Sequence, residues 1–160
     1  GVVAIGQVVT AGCRLLELGC DQLSLSDTIG VATPGHVAAM LDAFARAGVP
    51  VNALAVHFHD TYGQALANTL AALHAGVSCL DASAGGLGGC PYAGSTTGNL
   101  ATEDLVWMLD GLGIEHGVDL NALVRTSTWM AGQLGRPSPS RVVTAVGGSS
   151  RPTNPRGRCS

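Results

Sequence analysis

His57 and His59 stand two residues apart in the stretch AVHFHDTYG, and Cys90 stands inside GLGGCPYAGSTTGN. Side chains on a strand alternate faces, so residues i and i+2 share a face with Cα atoms about 6.6 Å apart. Two imidazoles at that spacing reach one metal ion, while Val56 and Phe58 point the other way, towards covering helices. Two hydrogen-bonded polar residues at a strand end would give the same pattern. Two neighbours favour the metal. Asp60 follows directly and could orient a ligating ring, and Asn99 offers an amide oxygen beyond the glycine-rich stretch. Imidazole mixed with oxygen suits a labile divalent cation, Mn²⁺ or Mg²⁺, better than a closed structural zinc site.

A lone cysteine is most often a small buried hydrophobe. Gly85, Gly86, Gly88 and Gly89 precede Cys90, however, and give it a backbone able to fold over a pocket and withdraw. A thiol on such a support can enter an active site and leave it. His36, His74 and His116 fall in helical or turn contexts and read as surface or capping residues. The eight basic residues are all arginine. Without lysine there is no Schiff base and no G-x-x-x-x-G-K-[ST] phosphate loop, so carbon–carbon chemistry here has to rest on a metal.

These groups need strands to hold them. Val8, Ala11, Leu15 and Leu18 recur at helical spacing and Gly19 follows where a helix ends. DQLSLSD then reads as a strand ending at Asp27. Thr33 as N-cap and Pro34 at the first helical position open a second helix with Val37, Met40, Leu41 and Phe44 on one face, ending at Gly48. The strand NALAVHFH, a third helix with Leu66, Thr69, Leu70 and Leu73 closing at Gly76, and the strand VSCLDAS complete the series. The alternation demands an α/β fold of parallel strands joined by helical crossovers, either doubly wound or a (β/α)8 barrel. Asp27, His57, His59 and Cys90 all fall at or just past strand C-termini, where both architectures collect catalytic groups. Two helices follow, one carrying Leu105, Val106, Leu109 and Leu112, the other capped by Asp119 and carrying Leu120, Leu123, Val124, Ser127, Met130 and Leu134. From Gly147 the chain is Gly, Ser, Pro and Arg and reads as a disordered tail.

The apolar share of 46% fits a globular chain, and no apolar run reaches the length of a membrane span. The formal net charge of −3, without a basic stripe, offers a nucleic acid nothing to grip. Five cysteines without a C-x-x-C pair argue against a disulfide framework or a cysteine zinc site and for a reducing compartment. Gly1 opens the chain without a methionine or a signal-peptide pattern, so the chain reads as a piece of something longer.

The segments LSLSDTIGVATPG, LAVHFHDTYGQALANTLAAL, GLGGCPYAGSTTGNLATEDLVWMLDGLGI and GVDLNALV resemble successive parts of the 3-hydroxy-3-methylglutaryl-CoA lyases, within the wider group of TIM-barrel metallolyases. The resemblance runs from Gln7 to Val146. Related condensing synthases share the H-x-H strand and lack the G-L-G-G-C-P-Y-A loop. The resemblance implies His57, His59 and Asn99 as ligands of a Mg²⁺ or Mn²⁺ ion, Cys90 as the catalytic cysteine and Asp27 as an active-site aspartate. It implies cleavage of 3-hydroxy-3-methylglutaryl-CoA to acetyl-CoA and acetoacetate. Asp27 and His57 both stand as candidates for the base, and Cys90 for the acid that protonates the departing carbon. The expected partner is a small-molecule acyl-CoA, with no nucleic acid and no membrane, and the complete enzyme is expected to be a homo-oligomer. The expected location is the cytoplasm, or the mitochondrial matrix in a eukaryote.

In the family a further aspartate ligand and a substrate-binding arginine come from the first barrel strand, which has no counterpart here. A barrel takes eight strands and about 250 residues. The expectation is therefore the C-terminal part of a TIM barrel over residues 1–146, followed by a tail over 147–160 and inactive alone. The alternatives are a condensing synthase of the same superfamily and a non-catalytic truncated product.

Overall fold

The computed structural model describes residues 3–89 and 98–147. Cys90 and the tail beyond Gly147 lie outside the described residues. The fold divides into two compact units, Gly1–Asp81 and Ala82–Ser160.

The first unit is a run of alternating helices and strands, as the sequence pattern requires. Helix α1 (Ile5–Glu17) leads to strand β1 (Leu23–Asp27), helix α2 (Pro34–Arg46), strand β2 (Leu54–Phe58), helix α3 (Ala65–His74) and strand β3 (Cys79–Asp81). The strands form a parallel sheet in the order β1-β2-β3. The central strand β2 is apolar on both faces, with Leu54, Ala55, Val56 and Phe58 all buried, as a parallel strand between covered faces must be. Val37, Leu41 and Phe44 of α2 supply the facing core, and Phe44 is completely enclosed. Thr33 and Pro34 start α2 where capping preferences place them, and the His36 ring accepts the Thr33 N–H at 3.3 Å.

In the first unit the faces of α1 and α3 differ from the expected ones. On α1 only Gly12 is buried, while Leu15 is 47% and Leu18 78% exposed. The α3 residues that become buried are Ala65, Asn68, Thr69 and Ala72, and the leucines lie half-buried at their flanks. Small side chains let α3 lie close to β2 and α2, so volume rather than hydrophobicity selects its inner face. Cys79 opens β3 and is half-buried, and β3 pairs on one side only among the described residues.

The second unit is helical. Helix α4 (Thr102–Gly111) buries Leu105, Val106 and Leu109, and helix α5 (Leu120–Leu134) is capped by Asp119, whose side chain accepts the Ala122 N–H at 3.1 Å. Leu112 and Leu134, expected on the inner stripes, are 48% and 52% exposed at the helix ends. A further helix, α6 (Arg141–Gly147), was not expected from the sequence. Its N-terminus is capped from α4: the Asp104 carboxylate accepts the Arg141 and Val142 N–H groups at 3.2 and 2.9 Å and the Ser140 hydroxyl at 2.6 Å. No helix among the described residues is long and apolar enough to cross a membrane.

Candidate active site

Register brings the candidate residues of the first unit to one end of the sheet. Ser26 is level with His57, Asp27 with Phe58, and His57 with Asp81. The His57 and His59 rings lie with centroids 5.0 Å apart at an interplanar angle of 67°. His59 is buried, and its Nδ1 lies 2.9 Å from the Asp27 carbonyl oxygen. A carbonyl oxygen only accepts, so in the neutral ring Nδ1 carries the proton and Nε2 keeps its lone pair. His57 directs Nδ1 towards Asp81, 3.7 Å from Oδ2, and Ser24 from the opposite edge strand donates to that same oxygen at 2.8 Å. His59 is thus oriented by a hydrogen bond to the oxygen behind it, the arrangement that ligating histidines use, while His57 has only the Asp81 carboxylate nearby, beyond hydrogen-bond distance.

The chain leaves β1 and β2 through the same turn, D-T-x-G. Asp27-Thr-Ile-Gly30 and Asp60-Thr-Tyr-Gly63 each close with a glycine N–H donated to the aspartate carbonyl, at 3.1 and 3.0 Å. Gly30 has φ +70°, and a Cβ there would lie 2.2 Å from Thr61 Oγ1, so no other residue fits. The aspartate side chains hold the chain that follows. Asp27 accepts the Val31 and Ala32 N–H groups, each at 3.0 Å, and Asp60 accepts the Ala65 N–H at 2.9 Å. Asp60 therefore caps the start of α3 and does not orient a histidine; that work falls to the Asp27 carbonyl and to Asp81. Buried Asn68 adds a hydrogen bond from Nδ2 to the Ala32 carbonyl at 3.0 Å, so α3 helps hold the turn beside Asp27.

In the second unit Asn99 has its Nδ2 donating to the Leu87 carbonyl at 3.0 Å, while its Oδ1 is buried without a hydrogen-bond partner. An unpaired buried amide oxygen is costly and is the natural partner of a hard cation. The backbone around it is closely packed: a Cβ on Gly98 would lie 2.1 Å from Gly86 O and 2.7 Å from Gly88 O. Beneath, Glu103 is fully enclosed. It accepts the Gly85 N–H on both carboxylate oxygens, at 3.0 and 2.9 Å, and the Ser127 hydroxyl.

The described residues hold no group of three or more His, Cys, Asp and Glu side chains able to bind a metal. In the first unit the His57 and His59 imidazoles suit a divalent cation; among the described residues the buried amide oxygens without a hydrogen-bond partner are Asn68 Oδ1 in the first unit and Asn99 Oδ1 in the second. The His57 and His59 rings face one another, Asp27 meets His59 through its backbone carbonyl while its carboxylate holds the following turn, Asn99 lies in the second unit, and Cys90 lies outside the described residues. Sequence reasoning missed Asp81, Ser24 and Glu103. The end of VSCLDAS, placed level with His57, was the one signal that could have found Asp81.

Parallel strands joined by helices, with imidazole and carboxylate groups at their carboxyl ends, define an α/β protein of the architecture that collects functional groups at strand C-termini. Comparison with known proteins is more specific. The HMGL-like family model matches residues 3–130. The chain is 54% identical over 146 residues to the mitochondrial hydroxymethylglutaryl-CoA lyase of Mus musculus, covering 91% of this chain and 45% of that protein. The crystal structure of hydroxymethylglutaryl-CoA lyase from Pseudomonas aeruginosa matches with a TM-score of 0.87 and 46% identity, over 92% of this chain and 49% of that one. An HMG-CoA lyase from Acinetobacter baumannii, in complex with coenzyme A and 3-methylmalate, matches with a TM-score of 0.85 and 36% identity, over 96% and 49%. The chain belongs to the HMGL-like family, and its strands are part of a TIM barrel. It spans about half the length of the curated relatives it matches.

Proposed function

We propose that this chain carries working residues of a carbon–carbon lyase that cleaves 3-hydroxy-3-methylglutaryl-CoA to acetyl-CoA and acetoacetate. The observation that carries the reading is the His57–His59 pair, with rings 5.0 Å apart and His59 oriented through Nδ1 so that Nε2 stays free. Identity of about half to hydroxymethylglutaryl-CoA lyases supports it, and the relative solved with coenzyme A supports an acyl-CoA as substrate. The mitochondrial relatives support a mitochondrial matrix location if the source is a eukaryote, and the cytoplasm otherwise.

His57, His59 and Asn99 would hold a divalent cation, Mg²⁺ or Mn²⁺, through two imidazole nitrogens and one amide oxygen. Such a cation supplies Lewis acidity to the hydroxyl and carboxylate oxygens of the substrate. Asp27 takes the proton of the C3 hydroxyl, since a His57 lone pair given to the cation is no longer free to act as a base. Each Asp27 oxygen accepts one backbone N–H, which fixes the carboxylate and leaves each oxygen a second lone pair. The C3 oxygen then becomes the ketone of acetoacetate as the C2–C3 bond breaks. The electron pair of that bond passes to the thioester enolate, and Cys90 delivers a proton to C2 to give acetyl-CoA.

The test is product analysis with the rest of the barrel supplied from a homologous lyase. Acetoacetate and acetyl-CoA should form in equal amounts with Mg²⁺ or Mn²⁺, and neither after chelation. Release of free coenzyme A from acetyl-CoA and an oxo acid, with no cleavage of 3-hydroxy-3-methylglutaryl-CoA, would instead make the chain part of a condensing synthase.

A further inference from the structure

The strongest unused feature of the molecule is the carboxylate of Glu103. It is fully enclosed, its sequence neighbours give no warning of that, and the reaction does not call on it. A carboxylate is kept out of water only where hydrogen bonds replace the lost hydration. Here they come from the Gly85 N–H, received on both oxygens, and from the Ser127 hydroxyl. Gly85 sits at φ +63° in the 3-10 turn Ala84–Gly86, and its own carbonyl accepts the Ser138 hydroxyl at 3.3 Å. The next residue beyond the turn, Leu87, provides the carbonyl that receives Asn99 Nδ2 at 3.0 Å.

That carbonyl decides which way the Asn99 amide points. A carboxamide can turn over and exchange its oxygen with its NH₂ group at little steric cost, so its orientation is set by its partners. Leu87 O accepts only. It holds the NH₂ side, and leaves Oδ1 turned away, buried and unpaired. If the Gly85–Leu87 backbone drifted, the amide would be free to turn over and present hydrogens to a cation.

We propose that Glu103, with Ser127, is a positioning residue for Asn99: it anchors the Gly85–Leu87 backbone, which fixes the amide with Oδ1 available to a divalent cation. The proposal rests on the reading of Asn99 as a ligand, and two readouts keep the two claims apart.

The first readout is the Asn99 side-chain NH₂ signal of the ¹⁵N-labelled full chain, identified by its loss in Asn99→Ala. Glu103→Gln keeps both contacts, because Oε1 can accept from Gly85 and Nε2 can donate to Ser127 Oγ. It should leave that signal and its slow solvent exchange in place. Glu103→Ala should shift the signal and speed its exchange. If Glu103→Ala does not fold, Ser127→Ala, which removes one donor, should move the same signal in the same direction. The second readout is MnCl₂ titration followed by water proton relaxation. Glu103→Ala or Ser127→Ala should weaken binding by about 10–100-fold, the range for groups that orient ligands, and Glu103→Gln by much less. An Asn99 signal unmoved in a folded Glu103→Ala or Ser127→Ala chain would overturn the positioning role. A signal that moves while Mn²⁺ affinity stays level would uphold the positioning and remove Asn99 from the ligand set.

Discussion

His59 shows how one hydrogen bond assigns a nitrogen. The Asp27 carbonyl takes Nδ1 at 2.9 Å, and the remaining Nε2 is the one that can meet a cation. The His57, His59 pair should therefore act as a unit. MnCl₂ titration should find one site on the chain, and the His57→Ala, His59→Ala double variant should lose it, with a circular dichroism spectrum that shows the fold retained, since both rings sit at the end of the sheet and the apolar core beneath them is untouched. Unchanged affinity in that variant would remove the metal from the account. Asp27 makes a second prediction. Asn at this position keeps the shape but turns an NH₂ group towards a backbone N–H of Val31 or Ala32. Thermal melts of Asp27→Asn should show a loss of about 0.5–1.5 kcal/mol, the usual net worth of one hydrogen bond at a site that water can reach. At this scale the sequence was legible where chemistry depends on spacing along one strand, as in His57 and His59. It was not legible where a partner comes from another strand. Asp60, adjacent in sequence, turns to cap α3, while Asp81 reaches His57 through the register of β2 and β3.

Elements with their own start signals were legible: Thr33-Pro34 opens α2 and Asp119 opens α5. Asp119→Ala removes an acceptor from the Ala122 N–H and should cost about 1 kcal/mol of stability in denaturant unfolding. Helix α6 escaped because it is only seven residues long and runs into the glycine- and serine-rich end of the chain; Ser140 caps it, its Oγ accepting the Val143 N–H at 3.1 Å, and Asp104, well upstream in the sequence, reinforces that cap. The small-residue face of α3 escaped for a related reason, since periodicity weighs hydrophobicity and the packing here selects by size. The glycine-rich segment was read as freedom to move. In its described part glycine instead permits close approach, for Gly98 lies against the carbonyls of Gly86 and Gly88. Gly98→Ala has to push that backbone apart, and the prediction is a lowered melting temperature together with weakened Mn²⁺ binding through the displaced Asn99. A variant that melts and binds as the parent does would show that the packing is not needed there.

The repeated helix, glycine, strand order made the parallel α/β class and the strand C-termini legible before any coordinates. What a single chain could not reveal is how a barrel site is completed. The described residues form a sheet of three strands, whereas a barrel closes with eight, and the pocket wall opposite β1 to β3 has to come from the others. Positioning of substrate and exclusion of water each lower a barrier by several kcal/mol, so their loss takes the rate towards background. The most direct measurement is acetoacetate release from 3-hydroxy-3-methylglutaryl-CoA by the 160-residue chain, alone and mixed with the N-terminal half of a homologous lyase, in Mg²⁺ or Mn²⁺. The account predicts no release above buffer from the chain alone, turnover in the mixture, and loss of that turnover when the chain carries Cys90→Ala or the His57, His59 double change. Turnover in the mixture that survives both sets of changes would contradict it.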